Sequence, residues 1–418
     1  MIFWKPLATS LRLLPWASGL AVLGIFSASL VSAQSITPDG TATLLNGGNS
    51  CSGSCLITGG TLKEGSLIHL FQTFNVDTGA TVTFDDPGVA NIIGQITTVE
   101  SNNLSIINGT LAVSGTANLF LLNPNGIIFG TDAALNVPGS FIASTAENVV
   151  FNANVINSGD PTVIPLLTLN TPVGLQMGTN SRDIVVNTPT GAGGFAQLGG
   201  VHGQTLAFVG RNVELTTGAE IQVLDLAGSS GGAIHLQASD TLKMNGGTVE
   251  NLLFGDGDGS NRINLEAPNL RLEEGTQVVL GSLGGGETGQ IDVNADTLTI
   301  DNTNGPRSSF ILTAVVSGST ATGGHINVTT DDIRLVEGGE ISSRTLGAGS
   351  AGNVTIQNTG TIELTGFDPN GGGPSSIASI AAAPTAGPGG QVKIDTASLL
   401  VSGGGQIATS VVSDSNAG

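Results

Sequence analysis

Any chemistry in this chain has to come from very few side chains. Of 418 residues only 12 are Lys or Arg, 32 are Asp or Glu and four are His, with two Cys and no Tyr. Three sets have residue types that a site could use. Lys243, Arg271 and Arg334 fall at matching places of a recurrent pattern, followed by Glu363, and together could hold an anionic sugar. Glu266 and Asp292 are the acid pair that polysaccharide cleavage calls for, because such sites set two carboxylates, or a carboxylate and a base, on one outward face. His235 and His325 are metal ligands by type. Each set also has a plainer reading. The two acids lie diagonally, as residues of a solvated face do. The histidines stand three repeats apart, ~15 Å by strand spacing, too far to share an ion. Three cations on one face serve solubility. Gly255-Asp256-Gly257-Asp258-Gly259-Ser260 has half the ligands of a calcium loop, without the rest of an EF-hand set or a repeated nonapeptide, and reads as a turn. Neither a Gly-x-Ser-x-Gly elbow nor a phosphate loop occurs. No catalytic residue, cofactor or metal is therefore expected.

The pattern that places these residues starts near Gly203. It reads apolar-x-apolar, a polar gap, apolar-x-apolar, then Gly and another apolar residue. Copies begin at Leu206, Ile234, Ile263, Ile291, Ile326, Val354 and Val392, giving spacings of 28, 29, 28, 35, 28 and 38. The base period is 28, with insertions near Thr303–Arg307 and Asp368–Pro374 and further Gly and Pro before Gly390. Self-similarity at this length is the mark of a solenoid. Within a copy the period is two: Ile234, Leu236 and Ala238 alternate with His235 and Gln237. That alternation predicts strands with one face buried. Three strands per copy are expected, for example Ile263–Ala267, Leu270–Leu272 and Val278–Leu280, closed by Gly and Asn corners that tolerate positive φ. One copy is then one coil of a parallel β-helix, stacked on the next at about 4.8 Å. Each coil buries its apolar row only on its neighbours, so an end needs a cap. The last residues repeat the opening of another coil, so the chain is expected to be a piece of a longer protein.

Composition agrees. The 63 glycines, 11% charged residues and positive mean hydropathy of +0.26 exclude disorder, and good helix formers are scarce. A formal charge of −20 leaves no basic patch for nucleic acid. Lys5 and Arg12 precede an apolar run from Leu13 to Val31 that ends Val31-Ser32-Ala33, which has the three parts of a secretory signal. Residues 1–33 are therefore expected to be removed before Gln34, which also removes two cations and no acid. An oxidising compartment makes Cys51 and Cys55 a local disulfide clip, since no second Cys or His cluster exists to complete a zinc site.

Residues 34–151 show many short strand signals without a clean 28-residue period. Asn118-Leu119-Phe120-Leu121-Leu122 leads into Asn123-Pro124-Asn125-Gly126-Ile127, and Gly139-Ser140-Phe141-Ile142-Ala143-Ser144-Thr145 follows. This succession resembles the filamentous haemagglutinin N-terminal domain, the secretion domain of two-partner secretion exoproteins. The resemblance implies an all-β, right-handed parallel β-helix, a solenoid of the pectin-lyase-like kind. It also implies export by the general secretory machinery, recognition by an outer-membrane barrel transporter with periplasmic domains, and a secreted or surface-associated product. A second family motif, Asn-Pro-Asn-Leu, has no copy here; Asp85-Asp86-Pro87-Gly88 holds its approximate place. The turn chemistry of Asn123–Ile127 fits both a structural corner and a surface read by the transporter. Residues 152–202 are expected to be connecting coils and 203–418 the repeats. The leading functional expectation is a non-enzymatic exoprotein whose β-helix is an adhesin-like or structural shaft contacting surface carbohydrate or a host or neighbour cell. The alternative is a β-helical polysaccharide-active lyase or hydrolase.

Overall fold

The computed structural model of the chain describes residues 35–63, 65–98, 103–151, 154–157, 174–187, 198–199, 204–225, 231–383 and 386–411. The signal segment and much of 152–202 lie outside these residues. The described secondary structure consists of strands and turns, and nearly all pairing between successive coils is parallel. Along the coils the chain returns again and again to a parallel neighbour of the same sheet, and the fold is a right-handed parallel β-helix.

The seven repeat starts are direct register partners. Leu206 pairs with Ile234, then Ile263, Ile291, Ile326, Val354 and Val392 in turn. The first six are fully buried and Val392 is half-buried on the last described coil. Two of the three strands expected per coil run together: Arg262–Glu273 is one bent strand, followed by Gln277–Ser282. The bend shows in the next coil as Asp296 and Thr297, consecutive exposed residues between buried Ala295 and Leu298. Strict alternation cannot turn a corner, and two outward residues in a row mark where it does so.

A second interior device was not visible in the apolar pattern. Thr313, Ser343 and Ser379 share one inward rung of the third strand. Their hydroxyls bond the glycine backbone at the coil entrances. Thr313 Oγ1 donates to Gly324 O at 2.7 Å, and Ser379 Oγ to Gly352 O at 2.8 Å. Ser343 Oγ donates to Gly324 O and accepts from Gly352 N at 2.8 Å. Buried backbone groups that no ladder serves are satisfied in this way. The approach is close: a Cβ on Gly352 would lie 1.9 Å from Gly324 O, so no side chain fits.

The two insertions meet. Residues 302–309 leave one coil and residues 366–375 leave the coil after next; Asn370 Nδ2 donates to Gly305 O at 2.7 Å and Ser308 Oγ bonds the Asp368 carboxylate.

The N-terminal end is covered by antiparallel strands. Ile36–Pro38 and Thr61–Lys63 both pair antiparallel with Ser66–Phe74, and Thr43–Leu45 with Cys55–Gly59. Cys51 and Cys55 are joined by a disulfide across Cα atoms 5.8 Å apart. Beneath this cover Phe71, Phe74 and Phe84 form an aromatic cluster with ring centroids 5.0–6.4 Å apart. Within 152–202 the chain does more than continue the coils. Asn154–Asn157 and Gly174–Gln176 pair antiparallel with Asn148–Phe151, outside the helix, while Ile184–Val186 returns to pair in parallel with Ile127–Phe129.

Candidate functional site

Asn118–Leu122 is buried on both faces, which is why it reads as a run of apolar residues without alternation. Leu119 and Leu121 point into the coil core. Phe120 and Leu122 form a second cluster with Ile68 and Ile93, against which Leu175 of the outer sheet packs. The strand pairs in parallel with Asn91–Ile96 on one side and Phe141–Ser144 on the other. The chain then turns through Asn123-Pro124-Asn125-Gly126 into Ile127–Phe129.

All five residues from Asn123 to Ile127 are buried. Asn123 Nδ2 donates to Asn103 O and Ser105 Oγ, both at 2.9 Å. Asn123 Oδ1 accepts from the backbone N and Nδ2 of Asn125, again at 2.9 Å. Asn125 Nδ2 also donates to Thr98 O at 2.7 Å. The corner is tied to the coil above as well, through Asn123 N to Ser144 O at 2.9 Å and Ile127 N to Asp183 O at 3.1 Å. Gly126 closes the turn, donating to Asn123 O at 3.1 Å with φ of 116°. A Cβ there would sit 2.6 Å from Leu104 Cδ2. The Asn123 amide gives and receives bonds at once, which a carboxylate or an apolar side chain cannot do, while the Asn125 amide donates twice. In the folded chain this corner is a buried knot between three levels of the stack.

Asp86, in the segment standing where the second family motif was sought, is also a corner. Its carboxylate accepts from Gly88 N, Val89 N and Ala117 N at 2.8–3.0 Å. Burial alone would raise its pKa, but the backbone donors of Val89, Gly88, Ala117 and Thr116 outweigh that and hold it below the usual carboxylate value.

His69 was not singled out by sequence. It lies fully buried beneath the N-terminal cover, 5.7 Å from the Phe84 ring centroid, with Nδ1 3.3 Å from Thr43 Oγ1 and no partner at Nε2. Burial lowers its pKa to about 4, so it is neutral at neutral pH. Its only sequence signal is its place in Leu67-Ile68-His69-Leu70-Phe71, where the long-range cover cannot be seen.

The weaker candidates fall where the repeat places them. Lys243, Arg271, Thr299 and Arg334 share one outward row, with Glu214 before and Glu363 after. Arg271 pairs with Glu273 at 2.5 Å and Arg334 with Glu363 at 3.4 Å, so two of the three cations already face a carboxylate. Glu266 and Asp292 lie diagonally on the first-strand face, and Asp292 accepts from Gln290 and from Asn327, as a solvated ladder does. Among the described residues no group of three or more His, Cys, Asp or Glu is placed to hold a metal.

These features define a parallel β-helix opened by an antiparallel cover and pinned by a buried Asn-Pro-Asn-Gly corner. The TPS (two-partner secretion) secretion domain family matches residues 34–262, more than half of the 418, and the chain belongs to it. It is an exported exoprotein of a two-partner secretion system. The match runs past residue 151 into the first repeats. Among the similar solved structures are two secretion domains. The HMW1 secretion domain from Haemophilus influenzae shares 15% identity over 91% of this chain and 99% of its own, with a TM-score of 0.40. The filamentous haemagglutinin secretion domain shares 13% identity over 90% of this chain and 100% of its own, with a TM-score of 0.31. No curated protein matches the chain.

Proposed function

We propose that the N-terminal coils deliver this chain to an outer-membrane barrel transporter with periplasmic domains, and that the remaining coils form an adhesin-like or structural shaft outside the cell. After removal of residues 1–33 by the general secretory machinery, the chain crosses the periplasm unfolded. Low charge and slow assembly of long-range parallel pairs favour that state. The observation that carries the reading is the family match over residues 34–262. The buried corner gives it a mechanism: Asn123 and Asn125 are accessible on the unfolded chain and sealed once three levels of the stack close on them. Folding itself then withdraws the motif from the transporter and drives release. The family match favours a non-enzymatic shaft, with surface carbohydrate or a neighbouring cell as its contact.

The test is export in cells that carry or lack the partner transporter. The reading expects the full chain in the medium only with the transporter and in the periplasm without it. Equal release in both strains overturns it. The Asn125→Ala chain should accumulate in the periplasm even in the presence of the transporter.

A further inference from the structure

One outer face of the stack has the wrong polarity for a solvated surface. On the first strand the outward row His235, Asn264, Asp292, Asn327 and Thr355 is polar, as expected. The third strand differs. In Phe310–Val315 the inward residues include Thr313, while Phe310, Leu312 and Ala314 point outward. The next outward row, one step past the strand ends, is Phe254, Leu283, Val316 and Leu346. Their backbone nitrogens each bond the coil below in the same register, which stacks the four directly. They are 43%, 39%, 37% and 51% exposed. Leu252 and Val279 extend the patch beside them. Contiguous apolar surface of this kind marks an interaction site in a soluble protein.

Charge identifies the occupant. The chain carries −20 overall, but Gln277–Ser282 and Phe310–Val315, the central strands of the face, carry no charge. At its margins Glu250 accepts from Gln222 at 2.8 Å, and Glu340 pairs with Arg344 at 2.5 Å. A basic partner would be drawn to the acid-rich faces instead. Two copies of an acidic chain can approach closely only where the surface is neutral, and here it is also apolar. The four strands of this face, by seven residues along each, span roughly 19 Å by 23 Å. Two such faces would bury about 900 Å², the size of a weak, transient interface. We propose that two copies of this chain associate side by side through this face, sheet on sheet, as a reversible isologous dimer.

Sedimentation of the secreted chain from micromolar to submillimolar concentration tests this. The expected result is a monomer–dimer equilibrium that tightens as salt screens the acidic charge. Leu312→Glu and Val316→Glu should each weaken it at least about tenfold without changing the circular dichroism. Thr329→Glu, outward on the first-strand sheet, should leave it unchanged. Should the glutamate variants misfold, Ala314→Cys supplies a second readout, since both native cysteines are already paired. It should cross-link on oxidation much faster than Thr329→Cys. Three results overturn the proposal: a parent that stays monomeric throughout, a dimer indifferent to both glutamates, or equal cross-linking at the two engineered cysteines. A monomer that floats with phospholipid vesicles would also overturn it and assign the face to a lipid surface.

Discussion

Truncating Asn123 to alanine isolates what the buried corner contributes. The side chain makes four hydrogen bonds, two given to Asn103 O and Ser105 Oγ and two received from Asn125. The alanine leaves a buried carbonyl and a buried N–H without partners, and the site is fully enclosed. At about 1 kcal/mol per bond, with some replacement by water, Asn123→Ala should destabilise the chain by about 3 kcal/mol. With the usual per-residue unfolding entropy that lowers the melting temperature by about 4 °C if the chain unfolds as a unit, and by more if the N-terminal coils melt alone. Asn123→Asp sharpens the test because it keeps the shape and the oxygen that accepts both bonds from Asn125, while replacing the donor with an oxygen that faces Asn103 O. The carboxylate is disfavoured there, so its folded pKa rises above the ordinary value near 3.9. A raised acid binds its proton more tightly in the folded state. The deficit of Asn123→Asp relative to the parent should therefore shrink as pH falls toward that raised pKa. The assay is thermal and urea unfolding of both variants and the parent across pH. A melting temperature for Asn123→Ala within a degree of the parent, or an Asn123→Asp deficit that does not change with pH, would refute the buried hydrogen-bond argument.

Other expectations follow from burial and position. Ile291→Asp places an unpaired carboxylate in a fully buried rung and should cost several kcal/mol; unchanged urea unfolding would mean the rung is not dry. His69 is held neutral with a pKa of about 4 against 6.5 when free, so below pH 6.5 the unfolded chain takes up a proton that the folded chain does not. Stability is then lost on acidification, by about 2 kcal/mol between pH 7 and pH 5, and His69→Leu should remove that part of the urea-midpoint profile. N-terminal sequencing of secreted material should begin at Gln34, and a product that still begins at Met1 would exclude the signal.

The repeat was legible because the chain states its own register. The spacing of Ile234, Ile263, Ile291 and Ile326 fixes which residues stack, and the outward rows from His235 to Lys393 follow by counting. The corner at Asn123 was legible as a turn but not as a buried one, since Thr98, Asn103 and Asp183 reach it from far along the chain. The N-terminal cover and the sheet of Asn148–Phe151 were hidden for the same reason: antiparallel pairing across coils leaves no period. Thr313, Ser343 and Ser379 were missed because they are polar residues in core positions, and their partners are glycine carbonyls that a pattern of side chains does not display. The apolar outer face was missed as the converse, since alternation alone does not say which of two apolar sets points inward.

The contact between the insertions changes how the stack can come apart. A column of coils that touch only their neighbours behaves as a one-dimensional chain of units, free to fray from either end. Asn370 and Asp368 reach across the coil that carries Glu340–Thr345 to hold Gly305 and Ser308 two levels away. The enclosed level cannot open while this clasp holds, so three levels share one opening equilibrium instead of three. In amide exchange that block would appear as a plateau of equal protection, a latch partway along an otherwise zip-like structure. An unfolding front or a pulling force arriving from the C-terminal side would stall there before it reached the coils that carry Asn123.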